Sequence, residues 1–187
     1  FQRKETKKIM YTGGFTIAQQ GAIMDLVNLI NKFPDLDIKL ILCTIEPPDL
    51  VKEMGISPGP KVVIRQANRE EIPALQQSAD ILFLPFSFPI HGYDHLTILR
   101  TASPSKLPEY LAAGRPILVY APAYTYYSRY ARREGFGLVV DQPDPDLLRE
   151  ALIKLKNDQS LCVELTENAR RVAEKYQWSI YGRPRVR

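Results

Sequence analysis

This 187-residue chain is poor in the residue types that most readily betray a chemistry. It has only two cysteines, Cys43 and Cys162, and two histidines, His91 and His95. Two cysteines cannot build a disulfide framework. Both fall in apolar-periodic segments, so they are expected as buried free thiols of a reducing, cytoplasmic compartment. The H-x-x-x-H pair would need a helix and a further ligand to hold zinc. Gly92 and nearby Pro89 argue for a loop instead, so no metal site is expected. No apolar run approaches the ~20 residues of a membrane span. The polar start, Phe1-Gln2-Arg3-Lys4-Glu5, leads into no signal-peptide core. The missing initiator Met is expected of an excised or processed chain.

A basic body is also lacking, although the formal charge is +4. Arg3, Lys4, Lys7, Lys8, Arg183, Arg185 and Arg187 lie near the ends with only Glu5 against them. The rest of the chain is slightly acidic. A nucleic-acid binder concentrates Lys and Arg on a folded face, so no nucleic-acid partner is expected.

What is present is an ordinary globular composition, 45% hydrophobic and 25% charged. Apolar runs alternate with helical periodicity along the whole chain. Lys8 to Gly14 reads as a strand entering a Gly turn. Ile17, Gly21, Met24, Leu26, Val27 and Ile30 then mark a helix up to Phe33-Pro34. Ile38–Ile45, Val62–Arg65, Ala79–Pro85, Pro116–Tyr120 and Gly137–Val140 read as buried strands. Short helices are expected to about Met54 and over Glu70–Gln77, the latter with Leu75 inward. Further helices are expected over Lys106–Ala113, Tyr126–Glu134, 145–157 and 160–177, with Gly114 and Gly135 closing two of them. Residues 86–102 read as irregular. Strands that are continuous apolar runs belong to a parallel sheet covered on both faces. The expected fold class is α/β: one doubly wound, Rossmann-like domain over 1–187, strand order 3-2-1-4-5-6, with loose ends at 1–7 and 179–187.

In such a sheet ligands sit beyond the carboxyl ends of the strands, at the switch between strands one and four. Gly13 and Gly14 would allow close backbone approach there, before a helix with free N–H groups, although a bare tight turn reads the same way. The segment from Ser103 to Pro116 is more specific. Ser105 suits an N-cap, Pro108 suits the first turn, and the N–H groups of Lys106 and Leu107 would be free for an anion. Lys106 and Glu109, three apart, share a helix face; they offer a phosphate charge and a hydroxyl acceptor, or simply a surface ion pair.

At these residues the chain resembles the carboxyl-terminal, donor-binding half of a retaining GT-B glycosyltransferase of group 1 (family 4). "SPSKLPEYLAAGRPILVYAP" is similar to that family's signature block and "ADILFLPFSF" to the strand before it. "REGFGLVVDQPDPDLLREALIKLKNDQSLCVELTENARRVAEKYQW" is similar to its tail, and "KIMYTGGFTIAQQGAIMDLVNLI" to its opening strand, turn and helix. The resemblance implies a nucleotide diphosphate sugar, UDP or GDP type, as substrate, and no separate cofactor. It puts Gly13, Gly14, Ser103, Ser105, Lys106 and Leu107 at the diphosphate. Glu109 matches the second glutamate of E-x7-E, which holds the ribose hydroxyls, and Arg65-Gln66 would border the base. The resemblance gives no catalytic residue here. It implies an amino-terminal acceptor domain as partner, with any membrane association peripheral and made through that half. The helix ending at Trp178 and the tail 181–187 would pack back on it. There are departures: Thr101 stands where the first glutamate belongs, no Arg…Lys phosphate pair follows the first strand, and 86–102 lacks the Gly-rich loop.

Three rival readings remain at this point. A dehydrogenase would need G-x-G-x-x-G, and Glu46 lies 32 residues past Gly14 rather than ~20. A sugar-nucleotide epimerase would share the fold. A non-catalytic interaction domain could use Tyr120, Tyr124, Tyr126, Tyr127 and Tyr130 as an interface, unless these line the cleft as partly buried side chains.

Overall fold

In the computed structural model the described residues are 6–91 and 106–181. The expectations for Thr101, Ser103, Ser105, His95 and the tail beyond Tyr181 lie outside them. Among the described residues six strands and seven α-helices follow in chain order: β1 (Lys7–Thr12), α1 (Ile17–Lys32), β2 (Ile38–Cys43), α2 (Pro48–Glu53), β3 (Val62–Arg65), α3 (Ile72–Ser78), β4 (Ile81–Pro85), α4 (Lys106–Ala112), β5 (Ile117–Tyr120), α5 (Tyr126–Glu134), β6 (Gly137–Val140), α6 (Pro145–Asn157) and α7 (Gln159–Tyr181). The six strands form one sheet in the order β3-β2-β1-β4-β5-β6, as the sequence predicts. Every pairing is parallel.

Alternation along the strands divides the interior into two cores. Ile9, Tyr11, Leu40, Leu42, Ile81, Phe83, Leu118 and Tyr120 face α1 and α6. Their neighbours Met10, Cys43, Leu82, Leu84, Ile117 and Val119 face α4, α5 and the middle of α7. Both faces are therefore dry, which is why the strands read as unbroken apolar runs. Each fully buried Leu, Ile or Phe contributes about 1.5–3 kcal/mol.

Local signals set the helix ends. Asp144 caps α6, accepting from the N–H groups of Asp146 at 2.8 Å and Leu147 at 3.4 Å, with Pro145 in the first turn. Thr125 caps α5 by accepting from the Ser128 N–H. Gly135, at φ 69°, ends that helix in the left-handed region.

Ile17 opens α1, as expected, and is 62% exposed at the rim of the sheet. On α3, Leu75 is half-buried and packs against the core, as expected, while the fully buried side chain is Gln76. Two expectations need correction. Cys43 is buried but Cys162 is half-buried, since α7 leaves one side of it open. The last helix continues through Trp178 to Tyr181. Of the tyrosines, Tyr120, Tyr127 and Tyr130 are core residues. Tyr127 packs on Phe86 with ring centroids 4.9 Å apart, and Tyr130 on Phe136 at 5.4 Å. These three build the core rather than an interface.

Candidate functional site

The carboxyl ends of β1 and β2 open into a cavity of about 500 Å³. Its walls are Thr12, Gly13 and Gly14 after β1, Cys43 to Ile45 at the end of β2, and Ala67 to Pro73 leading into α3. Lys106 and Glu109 of α4 complete it. The expected convergence of the Gly turn and the Lys106 helix is therefore present at the switch point. The approach is very close. A Cβ on Gly13 would lie 1.9 Å from Lys106 Cε and 2.5 Å from Nζ, and Gly13 has φ +132°. Only glycine satisfies both demands.

The turn has fewer free amides than its sequence suggests. Gly13 N–H donates to the Cys43 carbonyl at 2.8 Å, tying the end of β1 to β2. The Gly14 carbonyl accepts from the Tyr11 phenol at 2.6 Å. On the other side of Gly14 stands Glu46, whose Oε1 would be 3.1 Å from an added Cβ. The cation presented at this turn is the Lys106 ammonium.

Lys106 is half-buried, with its ammonium 5.3 Å from the centre of the Tyr11 ring. Burial pushes its pKa below the ordinary 10.5, while the charge of Glu109 opposes that shift. The i,i+3 spacing does not close an ion pair: among the described residues Lys106 has no carboxylate within salt-bridge distance. A partly desolvated cation facing a cavity, with a π face behind it, is suited to receive an anion.

Beneath the cavity floor runs a buried polar chain that sequence reasoning missed. Thr12 N–H donates to the Tyr110 hydroxyl at 3.0 Å, and Thr12 Oγ1 lies 3.4 Å from the same oxygen. Gln76 Nε2 donates to Thr12 Oγ1 at 3.0 Å and to Glu109 Oε2 at 3.4 Å. Thr12, Gln76 and Tyr110 are each at most 2% exposed. Burial pushes the Tyr110 phenol up to about 12, so it stays protonated. The one signal in the sequence was a polar residue next to the apolar position on α3.

The remaining predicted residues divide. Gln66 lines a neighbouring depression of about 260 Å³ that shares Thr44, Ile45 and Ala67 with the main cavity. Arg65 lines neither; it pairs with Glu71 at 3.1 Å on the surface. Arg69, which the sequence did not single out, is the arginine in the cavity wall. The Leu107 side chain is fully buried in the core beneath the site. Among the described residues no cluster of His, Cys, Asp and Glu could hold a metal. The arrangement offers two cations, Lys106 and Arg69, a solvent-facing carboxylate at Glu109 for hydroxyl donors, and an apolar wall at Ile45, Ala67 and Pro73.

Residues 47–172 match the protein family described as glycosyl transferases group 1. A curated relative, the D-inositol 3-phosphate glycosyltransferase of Corynebacterium urealyticum, is 25% identical over 160 residues, covering 80% of this chain and 34% of its own. The structure of the C-terminal domain of the group 1 family protein LpcC from Francisella tularensis superposes with a TM-score of 0.61 at 16% identity, covering 91% of this chain and 86% of that one. The Anabaena protein HepE, solved in complex with UDP-glucose, superposes with a TM-score of 0.66 at 13% identity, covering 90% and 44%. This chain spans about a third of the length of that curated relative.

Proposed function

The chain belongs to the group 1 glycosyl transferases, and on that premise we propose that it is the donor-binding half of such an enzyme. It binds a nucleotide diphosphate sugar, UDP or GDP type, for transfer of the sugar to an acceptor held by a second, amino-terminal domain. The observation that carries this reading is the Lys106 ammonium set against Gly13, with Glu109 on the wall of the same cavity. The diphosphate lies at Lys106. The ribose hydroxyls donate to Glu109, and the base rests on the apolar wall towards Gln66.

Two further observations support it. Ile17, Ile45, Leu50 and Ile90 are exposed large hydrophobics, and each follows the carboxyl end of β1, β2 or β4. An apolar rim around a polar cavity suits a second domain closing over it. The LpcC domain, described as C-terminal in its own protein, has nearly the size of this chain. A cytoplasmic location belongs to the same proposal, on the two free thiols.

A thermal-shift screen of UDP, GDP, ADP and NAD tests the reading. Ligand at 100 times its dissociation constant stabilises by about 2.7 kcal/mol. The expected result is a raised midpoint with UDP or GDP and none with NAD; no shift with any nucleoside diphosphate defeats the proposal. The isolated chain is also expected to transfer no sugar, and robust transfer by purified residues 1–187 would contradict the two-domain part.

A further inference from the structure

Gln76 is the one fully buried side chain of α3, and its amide makes two contacts across the fold. It donates to Thr12 Oγ1 at 3.0 Å and to Glu109 Oε2 at 3.4 Å. Thr12 is itself fastened to Tyr110, one residue beyond Glu109 on α4. The amide therefore bridges three separate elements: the end of β1, the middle of α3 and the first turn of α4. Sixty-four residues separate it from Thr12 and 33 from Glu109.

A glutamine on a packed helix face costs free energy unless its amide is satisfied. An apolar side chain of the same size would pack there without that demand. Glu109, by contrast, is exposed. An exposed glutamate samples several rotamers, and fixing it on binding costs side-chain freedom. A donor held rigidly from below removes part of that cost, because one carboxylate oxygen is occupied before ligand arrives.

We infer that Gln76 is a positioning residue of the nucleotide site: it holds Glu109 Oε2 so that the rest of the carboxylate faces the cavity. This rests on the donor-site reading. Gln76 itself touches no ligand; it acts through Glu109. Among the described residues, the charged and titratable groups that share the cavity wall with that carboxylate are Lys106 on its own helix, Arg69 before α3 and Cys43 at the end of β2; Tyr110 follows it on α4 and Glu46 stands beside Gly14.

Calorimetric titration tests the assignment, with UDP, GDP and ADP as probes and the tightest binder of wild type carried forward. Gln76→Leu is expected to weaken that nucleotide about tenfold, which corresponds to 1.4 kcal/mol. In a Glu109→Ala background the same change is expected to have no effect on affinity, because the residue through which Gln76 acts is gone. Gln76→Glu supplies a second test that does not depend on the leucine variant folding. It puts a second carboxylate beside Glu109, and two adjacent carboxylates resist double ionisation. Its affinity relative to wild type is expected to be lowest at pH 8 and to recover towards pH 5.5, where the new group is protonated and donates as the amide does. A loss with Glu109→Ala but none with Gln76→Leu, or a flat pH ratio for Gln76→Glu, overturns the inference and leaves the donor site standing. Loss that persists undiminished in the Glu109→Ala background also overturns it, by making Gln76 a merely structural residue. No nucleotide binding by wild type overturns both.

Discussion

The two ends of the sheet are built on opposite principles. At the amino edge, charges meet partners. Lys7 pairs with Asp80 at 3.3 Å, and the other oxygen of Asp80 accepts from the Lys8 N–H at 2.8 Å. Lys156 donates to the Leu36 carbonyl at 2.7 Å and stands 3.6 Å from Asp37. Thr6 donates to Asp37, and that hydrogen bond, ahead of Lys156, holds the Asp37 carboxyl below its ordinary range. At the carboxyl edge Arg65 still pairs with Glu71 beyond β3, but the ends of β1 and β2 differ. Lys106 is half-buried with no ion pair among the described residues, Gly13 sits at φ +132° under its side chain, and isoleucines face solvent. Such costs persist only where the surroundings over-determine them, and they gather at functional sites. The contrast is the one expected between an end built for stability and one open to the ligand proposed above.

The largest expected break in that contrast is at glycine. Gly13→Ala forces a Cβ into Lys106 and strains the backbone by about 1–3 kcal/mol. It should also abolish most nucleotide affinity, because the ammonium is displaced. Gly114→Ala, at the amino edge with φ 66° and Arg170 Nη2 3.2 Å from the added Cβ, meets only the end of a flexible side chain. It should cost about 1–2 kcal/mol of stability and leave affinity alone. Denaturant unfolding and titration of both variants would compare them directly. Equal affinity losses would erase the distinction between the two edges.

Lys106→Met comes next. Losing a charged hydrogen-bond donor costs about 1.5–3 kcal/mol of diphosphate affinity, with little effect on a nucleoside. Its effect on stability runs the other way. The folded pKa of Lys106 lies below the unfolded one, so folding releases protons and the buried charge is a penalty below the folded pKa. The penalty fades as pH rises through the lowered pKa towards the ordinary 10.5. Wild type should therefore gain stability relative to Lys106→Met over that alkaline window, and Lys106→Met should be no less stable at pH 7. Melting curves from pH 7 to 10.5 check the sign. The smallest effect is expected for Lys7→Met: a half-exposed pair contributes under about 1 kcal/mol, and affinity should not change.

Much of this was legible in the sequence because it depended on local pattern. Continuous apolar strands implied a sheet covered on both faces, and alternating elements with one reversal implied the strand order. Gly13, Lys106 and Glu109 came together because the switch point of such a sheet is fixed by its topology. What the sequence hid was non-local. Leu75 packs on the core as its hydropathy implies, but the fully buried place on α3 belongs to Gln76, whose amide Thr12 and Glu109 satisfy. The resemblance put Arg65-Gln66 beside the base; in the fold the Arg65 guanidinium pairs with Glu71, six residues on, and Arg69 lines the cavity.

The central claim turns on Glu109. Titration of wild type, Glu109→Gln and Glu109→Ala with UDP and GDP tests it most directly. On the proposed reading the carboxylate accepts from ribose hydroxyls, so the glutamine variant, which keeps one acceptor oxygen but no charge, should bind moderately less well. The alanine variant should bind least, by up to the 1.5–3 kcal/mol of a charged hydrogen bond, with both variants folded as wild type. Equal nucleotide affinity in wild type and Glu109→Ala would contradict the account.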